Sequence, residues 1–473
     1  MRPFILFLAF LPFASAQPYD LVIANGRVID PESKLDAVRN VGISGGVIRA
    51  VSEAALTGRV TVDARGLVVA PGFIDLHSHG QDAENYRYKA ADGVTTALEL
   101  EVGVGDVDAW YAERAGHALI NYGASVGHIP LRMKLMNDPG TFLPSGPAAH
   151  RAATPAEIAE MKRGLRHGLE RGGIGVGFGI MYTEAASYWE ILEMFRVAGE
   201  FHAPSFVHMR HAGPLEPGGV RGLSETLAAS AVGGGPVHLV HLNSMSLKLP
   251  VFEQMIQTIE DARKHGLDVT TEAYPYTASA TRIESAIYDE GWQQRLGITY
   301  KDLEWPDTGE RLTAESFAKY RKSGGAVIAH NMDEETIRAA MAHPLVMIAS
   351  DGFINDRKGH PRGAGTFARV LGRYVREQHA LTLNEAIAKM TLMPAQRLEA
   401  IVPAMKNKGR VRIGADADLS VFDPAKVTDR ATFAQPTLLS EGFRYVLVNG
   451  EFVLRDNKLV EAHPGKPVRG AVR

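Results

Sequence analysis

The chain has 473 residues, 45% of them hydrophobic and 22% charged, with 51 Lys plus Arg against 54 Asp plus Glu and a formal net charge of −3. That is the make-up of a globular protein long enough for a large barrel and a smaller companion unit, without the basic footprint that nucleic acid or an anionic membrane needs. Cysteine is absent, which excludes disulfides, thiol nucleophiles and thiolate ligands, so any metal must rest on His, Asp or Glu.

At the N-terminus, Arg2, the apolar run Pro3 to Phe13 and the small residues of Ala14-Ser15-Ala16 have the order of a secretory signal. Residues 1–16 are therefore expected to be removed, and the protein to be periplasmic or secreted. No later run reaches the ~20 apolar residues of a membrane span, so no stable membrane anchor is expected.

From Asp20 to about Gly66 short apolar runs alternate with tight turns, Asn25-Gly26 and Gly45-Gly46 being hairpin signals. Similar text returns at Asp418 to Phe422 and in the hairpin around Asn449-Gly450. The two ends together predict one small β-sandwich domain, residues 17–66 plus 405–473.

Between them, residues 67–404 alternate short apolar runs with helix-period segments, which predicts an α/β fold, a (β/α)8 TIM-like barrel. Strand candidates are 67–76, 95–100, 119–129, 174–181, 204–209, 237–242, 267–273 and 345–350, with 327–330 as a possible extra. Phe252, Met255, Ile256, Ile259 and Ala262 recur at helical spacing before Gly266, as do Tyr188, Ile191, Phe195 and Ala198. Gly173, Gly175, Gly177 and Gly179 strip one face of the fourth strand bare. That spacing does not fit a dinucleotide fingerprint; it reads as a crowded barrel interior or as backbone beside a ligand.

The chemistry concentrates at strand ends. Asp75, His77 and His79 close the first candidate and, at period two, share a face, so the two imidazoles can hold one metal. His208, His241 and Asp351 close three others, and in a barrel such ends converge on one mouth. His238 is an off-register rival to His241, while His128, His211 and His330 read as structural. A site of this type can run hydrolysis: zinc lowers the pKa of a water from 15.7 to about 7, and a carboxylate, here Asp351, carries the proton.

These residues resemble the amidohydrolase superfamily, and more closely its D-aminoacylase and N-acyl-D-amino-acid deacylase group. The similarity rests on Pro71 to His79, Gly127 to Arg132, His208-Met209-Arg210, Gly266 to Thr270 running into Tyr274-Pro275-Tyr276, His343 to Gly352, His360-Pro361-Arg362 and the tail Gly409 to Pro424. The resemblance implies one or two zinc ions on His77, His79, His208 and His241, Asp351 as general acid/base, and Tyr274 and Arg362, with Arg210 beside His208, as residues for a carboxylate-bearing small substrate. Two positions depart from that pattern. Val102 stands where the group has a cysteine ligand, leaving Glu101, or Glu99 on the same strand face, to supply an oxygen. Asn243 stands where the group has a lysine. The expected function is zinc-dependent hydrolysis of N-acyl-D-amino acids or small D-configured peptides. A cyclic amidase, a dipeptidase and a catalytically silent binding protein are the alternatives.

Overall fold

The computed structural model describes residues 18–216 and 218–472; the expected signal segment lies outside them. Among the described residues no helix is long and apolar enough to cross a membrane.

All eight barrel strands form where the apolar runs lie: Phe73–Asp75, Val94–Val104, Asn121–Gly127, Val176–Gly179, Ser205–His208, Val237–Leu239, Val269–Ala273 and Val346–Ile348, in that order around one parallel sheet. Helices separate them. Leu249–Lys264 buries Val251, Phe252, Met255, Ile256 and Ile259, and the chain leaves it through Gly266 at φ +91°. Tyr188–Glu200, capped by Ser187, buries Ile191, Met194, Phe195 and Ala198. Tyr188 does not join that stripe; it stays 57% exposed under the guanidinium of Arg210.

Ladder pairing lapses between the last strand and the first. The ring closes just above them, where Asp351 N donates to His77 O at 2.8 Å and His79 N to Gly352 O at 3.0 Å. One layer lower, Asp75 accepts from Ser350 N (2.9 Å) and Ser350 Oγ (2.6 Å) and pairs with buried Lys89 at 2.9 Å. Asp75 is thus spent on the seam. The strand stops at this residue, so period two does not carry it into one set with His77 and His79.

The strands from both chain ends form a nine-stranded sheet, joined across the antiparallel pair Val68–Pro71 and Leu419–Phe422. One core gathers Leu21, Ile23, Val41 and Ile43 from one end with Leu419, Val421 and Leu447 from the other. The sheet therefore encloses a core of its own, as a sandwich does. The final residues return to the barrel floor: Val468 N donates to Tyr122 O at 2.7 Å, and its side chain packs with Ile74, Leu98, Ile174 and Phe206.

Between the seventh and eighth strands an insert builds a four-stranded sheet from Ser279–Arg282, Leu303–Trp305, Glu310–Arg311 and Ala326–Ala329. The last of these is the extra strand foreseen near 327–330. With its own core of Tyr288, Trp292, Leu303, Trp305 and Phe317, the insert roofs the barrel mouth.

Candidate metal centre

The fourth strand explains how a side chain reaches the centre of the mouth. A Cβ on Gly177 would lie 2.4 Å from Glu101 O and 2.7 Å from Leu100 O, so only glycine lets the second strand press inward there. The ladder between the second and third strands breaks its register between Glu99 and Val104, and this bulge turns Glu101 into the barrel axis.

Glu101 then stands between two pairs of imidazoles. Its Oε2 is 2.8 Å from His77 Nε2 and 3.1 Å from His79 Nε2; its Oε1 is 2.7 Å from His208 Nδ1 and 3.9 Å from His241 Nε2. The ligand atoms of His77, His79, Glu101 and Asp351 all lie within 4.8 Å of one another, and so do those of Glu101, His208 and His241. Two metal-sized clusters share one carboxylate. His241 (φ +32°) and Asp351 (φ +52°) hold left-handed backbones, a conformation that costs energy for residues other than glycine and gathers at functional sites.

The donor set fits zinc. His, Asp and Glu are acceptable ligands to it, and three of the imidazoles are held from behind so that Nε2 faces the cluster. His77 Nδ1 meets Glu272 Oε1 at 2.7 Å, His79 Nδ1 meets Glu99 Oε2 at 2.8 Å, and His241 Nδ1 meets Ser244 Oγ at 2.9 Å. On His208, Nε2 is buried with no hydrogen-bond partner among the described residues. Glu99 also accepts from Val102 N and Gly103 N, so it supports the bulge while Glu101 occupies the centre. Val102 packs with Ile129 and Met133.

Charge agrees with this fit. Burial alone would push the His77 imidazole down, yet Asp351, Glu101 and Glu272 outweigh it and raise it to about 10. The same pull favours a divalent cation at Nε2. His241 is pushed the other way, to about 3, by burial and by His208; it presents a neutral lone pair. Asp351, against the effect of burial, is held well below the usual carboxylate range by Arg362 and His77.

The centre opens into a cleft of about 520 Å3. Asp351 and Arg362 line it, together with an apolar wall that includes Met245, Leu247, Ile287, Tyr288, Trp305 and Ile328. Arg362 pairs with Asp351 Oδ2 at 2.9 Å, and its Nε has no partner among the described residues.

The other expected residues are placed as follows. Tyr274 lies behind the wall with its ring 4.6 Å from the Arg362 guanidinium, and its buried hydroxyl has no hydrogen-bond partner among the described residues. Arg210 is turned away from the cleft: Glu225 takes Nε (2.9 Å) and NH2 (2.8 Å), and Glu184 O takes NH1. A guanidinium already neutralised in this way is not available to a substrate carboxylate. Asn243 faces the core and donates to Tyr274 O. His128 is locked to Glu190 and His330 to Glu304. Glu272, a buried carboxylate that sequence reasoning did not single out, carried one usable signal: an acid within an apolar strand needs a partner.

Comparison with known proteins points the same way. A profile described as the amidohydrolase family matches residues 60–137 and 131–454. The N-acyl-D-glutamate deacylase of Alcaligenes xylosoxydans xylosoxydans is 33% identical, over 91% of this chain and 93% of the relative. The D-aminoacylase of the same organism is 31% identical over 96% and 98%. Among solved structures, the N-acyl-D-glutamate deacylase of Bordetella bronchiseptica, complexed with zinc and a phosphonate mimic of the tetrahedral intermediate, superposes with a TM-score of 0.82 at 30% identity, covering 96% of this chain and all of that one.

Proposed function

The chain belongs to the amidohydrolase family, and from that premise we propose that it is an exported, zinc-dependent hydrolase of a carbon–nitrogen bond, cleaving the amide of N-acyl-D-amino acids or small D-configured peptides. The observation that carries this reading is the pair of ligand clusters sharing Glu101. His77 and His79 form one side, with Asp351 close by, and His208 and His241 form the other.

Zinc, when bound, supplies a Lewis acid for the amide carbonyl and a water acidified toward neutrality. Asp351 handles the proton. Held ionised by Arg362 and His77, it takes the proton of the attacking water on Oδ1, the oxygen 3.5 Å from His77 Nε2 and 3.4 Å from His79 Nε2. It then returns that proton to the leaving nitrogen. Arg362 fixes Oδ2, and its guanidinium, which lines the cleft, supplies the positive charge that a substrate carboxylate needs. The apolar wall suits an uncharged side chain or acyl group, and relatives that act on N-acyl-D-amino acids support the D configuration.

The test is hydrolysis of matched D and L N-acetyl amino acids and dipeptides by zinc-loaded protein lacking residues 1–16. Turnover of the D series is expected. Exclusive turnover of L compounds, or none of either, overturns the reading.

A further inference from the structure

A run of polar side chains, buried at His77, Glu272 and His238 and half-buried at Thr270, descends from the metal pocket to the opposite end of the barrel, and the reaction as proposed does not use it. His77 Nδ1 meets Glu272 Oε1 at 2.7 Å. The other oxygen of Glu272, Oε2, meets His238 Nε2 at 3.0 Å, and His238 Nδ1 meets Thr270 Oγ1 at 2.8 Å. Thr270 lines a second cavity, of about 310 Å3, with Pro204, Pro236 and Met347. The register explains the alignment: His238 on the sixth strand pairs directly with Thr270 on the seventh, and Glu272 stands two residues further along, on the same face.

The donors and acceptors can be ordered in only one way. An ionised carboxylate accepts only, so His77 Nδ1–H and His238 Nε2–H must both donate to Glu272. A neutral His238 is then left with Nδ1 as an acceptor, and the Thr270 hydroxyl donates to it. With Nδ1–H committed to Glu272, Nε2 is the position that gives up its proton when a metal binds, and it then offers the lone pair the metal needs.

We propose that Glu272, His238 and Thr270 form a positioning relay that fixes the tautomer and ring orientation of His77 from beneath the metal centre. None of the three touches the substrate or the metal. The inference rests on the reading of His77 as a metal ligand.

In Glu272→Gln one of the two ring N–H groups must face an amide NH2, so one imidazole has to change tautomer. If that ring is His77, its metal-facing lone pair is lost.

The test compares zinc dissociation constants, by chelator competition, for wild type, Glu272→Gln, Thr270→Val and Thr270→Ser. Melting temperatures of the metal-free proteins and spectra of the cobalt-substituted ones are recorded alongside. Glu272→Gln is expected to bind zinc about 10- to 100-fold more weakly with an altered cobalt spectrum, and Thr270→Val about 3- to 10-fold more weakly. Thr270→Ser, which keeps the hydroxyl, should match wild type.

Zinc affinity of Glu272→Gln within about twofold of wild type overturns the relay. If that variant does not fold, equal affinity of Thr270→Val and Thr270→Ser overturns it instead. A wild type that binds no zinc removes the metal centre and the relay together, a result distinct from variants that bind as wild type does.

Discussion

Glu101→Gln is the most direct perturbation of the bridge. The substitution keeps size and shape but removes the charge and one of two acceptor oxygens. Those oxygens meet His77 Nε2 at 2.8 Å and His208 Nδ1 at 2.7 Å. Breaking a buried charged partnership costs about 3–5 kcal/mol, and each 1.36 kcal/mol is a factor of ten, so zinc should bind about 10^2- to 10^4-fold more weakly. Glu99→Gln is the control. The Glu99 carboxylate meets the outer nitrogen of His79 and two backbone N–H groups, and the smaller loss of about 10- to 100-fold belongs to such a support. Metal content after dialysis against a graded chelator series, read by elemental analysis, separates the two. Equal retention by wild type and Glu101→Gln, or a larger loss in Glu99→Gln, would refute the bridge.

Asp351→Asn should keep zinc on the remaining ligands and lower kcat by about 10^2- to 10^4-fold; near-normal turnover removes Asp351 from the proton-carrying role. Arg362→Gln should cost about 10- to 150-fold in kcat/KM through a lost charged hydrogen bond, and it should move the acid limb of the pH profile upward, because Arg362 holds Asp351 low. An unmoved acid limb counts against that coupling. In the folded, metal-free protein His77 titrates at about 10, against about 6.5 when unfolded. Its stabilising contribution is complete below about pH 6.5 and disappears as pH rises through 10. Zinc must displace that proton and the one on His79, which Glu99 and Asp351 hold well above its ordinary range against the effect of burial, so apparent affinity should climb at least about tenfold per pH unit between about pH 7 and 9; a flat profile contradicts the assignment.

Much of the fold could be read from the sequence because each barrel strand is a short apolar run bounded by turn residues. The insert was harder: Ser279–Arg282 is polar and Leu303–Trp305 is only three residues long, so periodicity has little to act on. Glu99 and Glu101 share strand parity and cannot be ranked by alternation; the register break after Glu99 separates their roles. Arg210 sits beside a ligand in sequence, but its partner Glu225, 15 positions on, is visible only in three dimensions. Asp75 illustrates the opposite limit, since a periodic rule ends where its strand ends.

The seam between the first and last strands also sets the order of maturation. Asp75 and Ser350, 275 positions apart, meet directly beneath the bond from Asp351 N to His77 O. A nascent polypeptide emerges from its N-terminal side first, so it displays His77, His79 and Glu101 long before the residues that complete their pocket. Until Asp351 has emerged, a growing chain offers only part of the ligand set, and the pocket closes only when the last strand docks against the first.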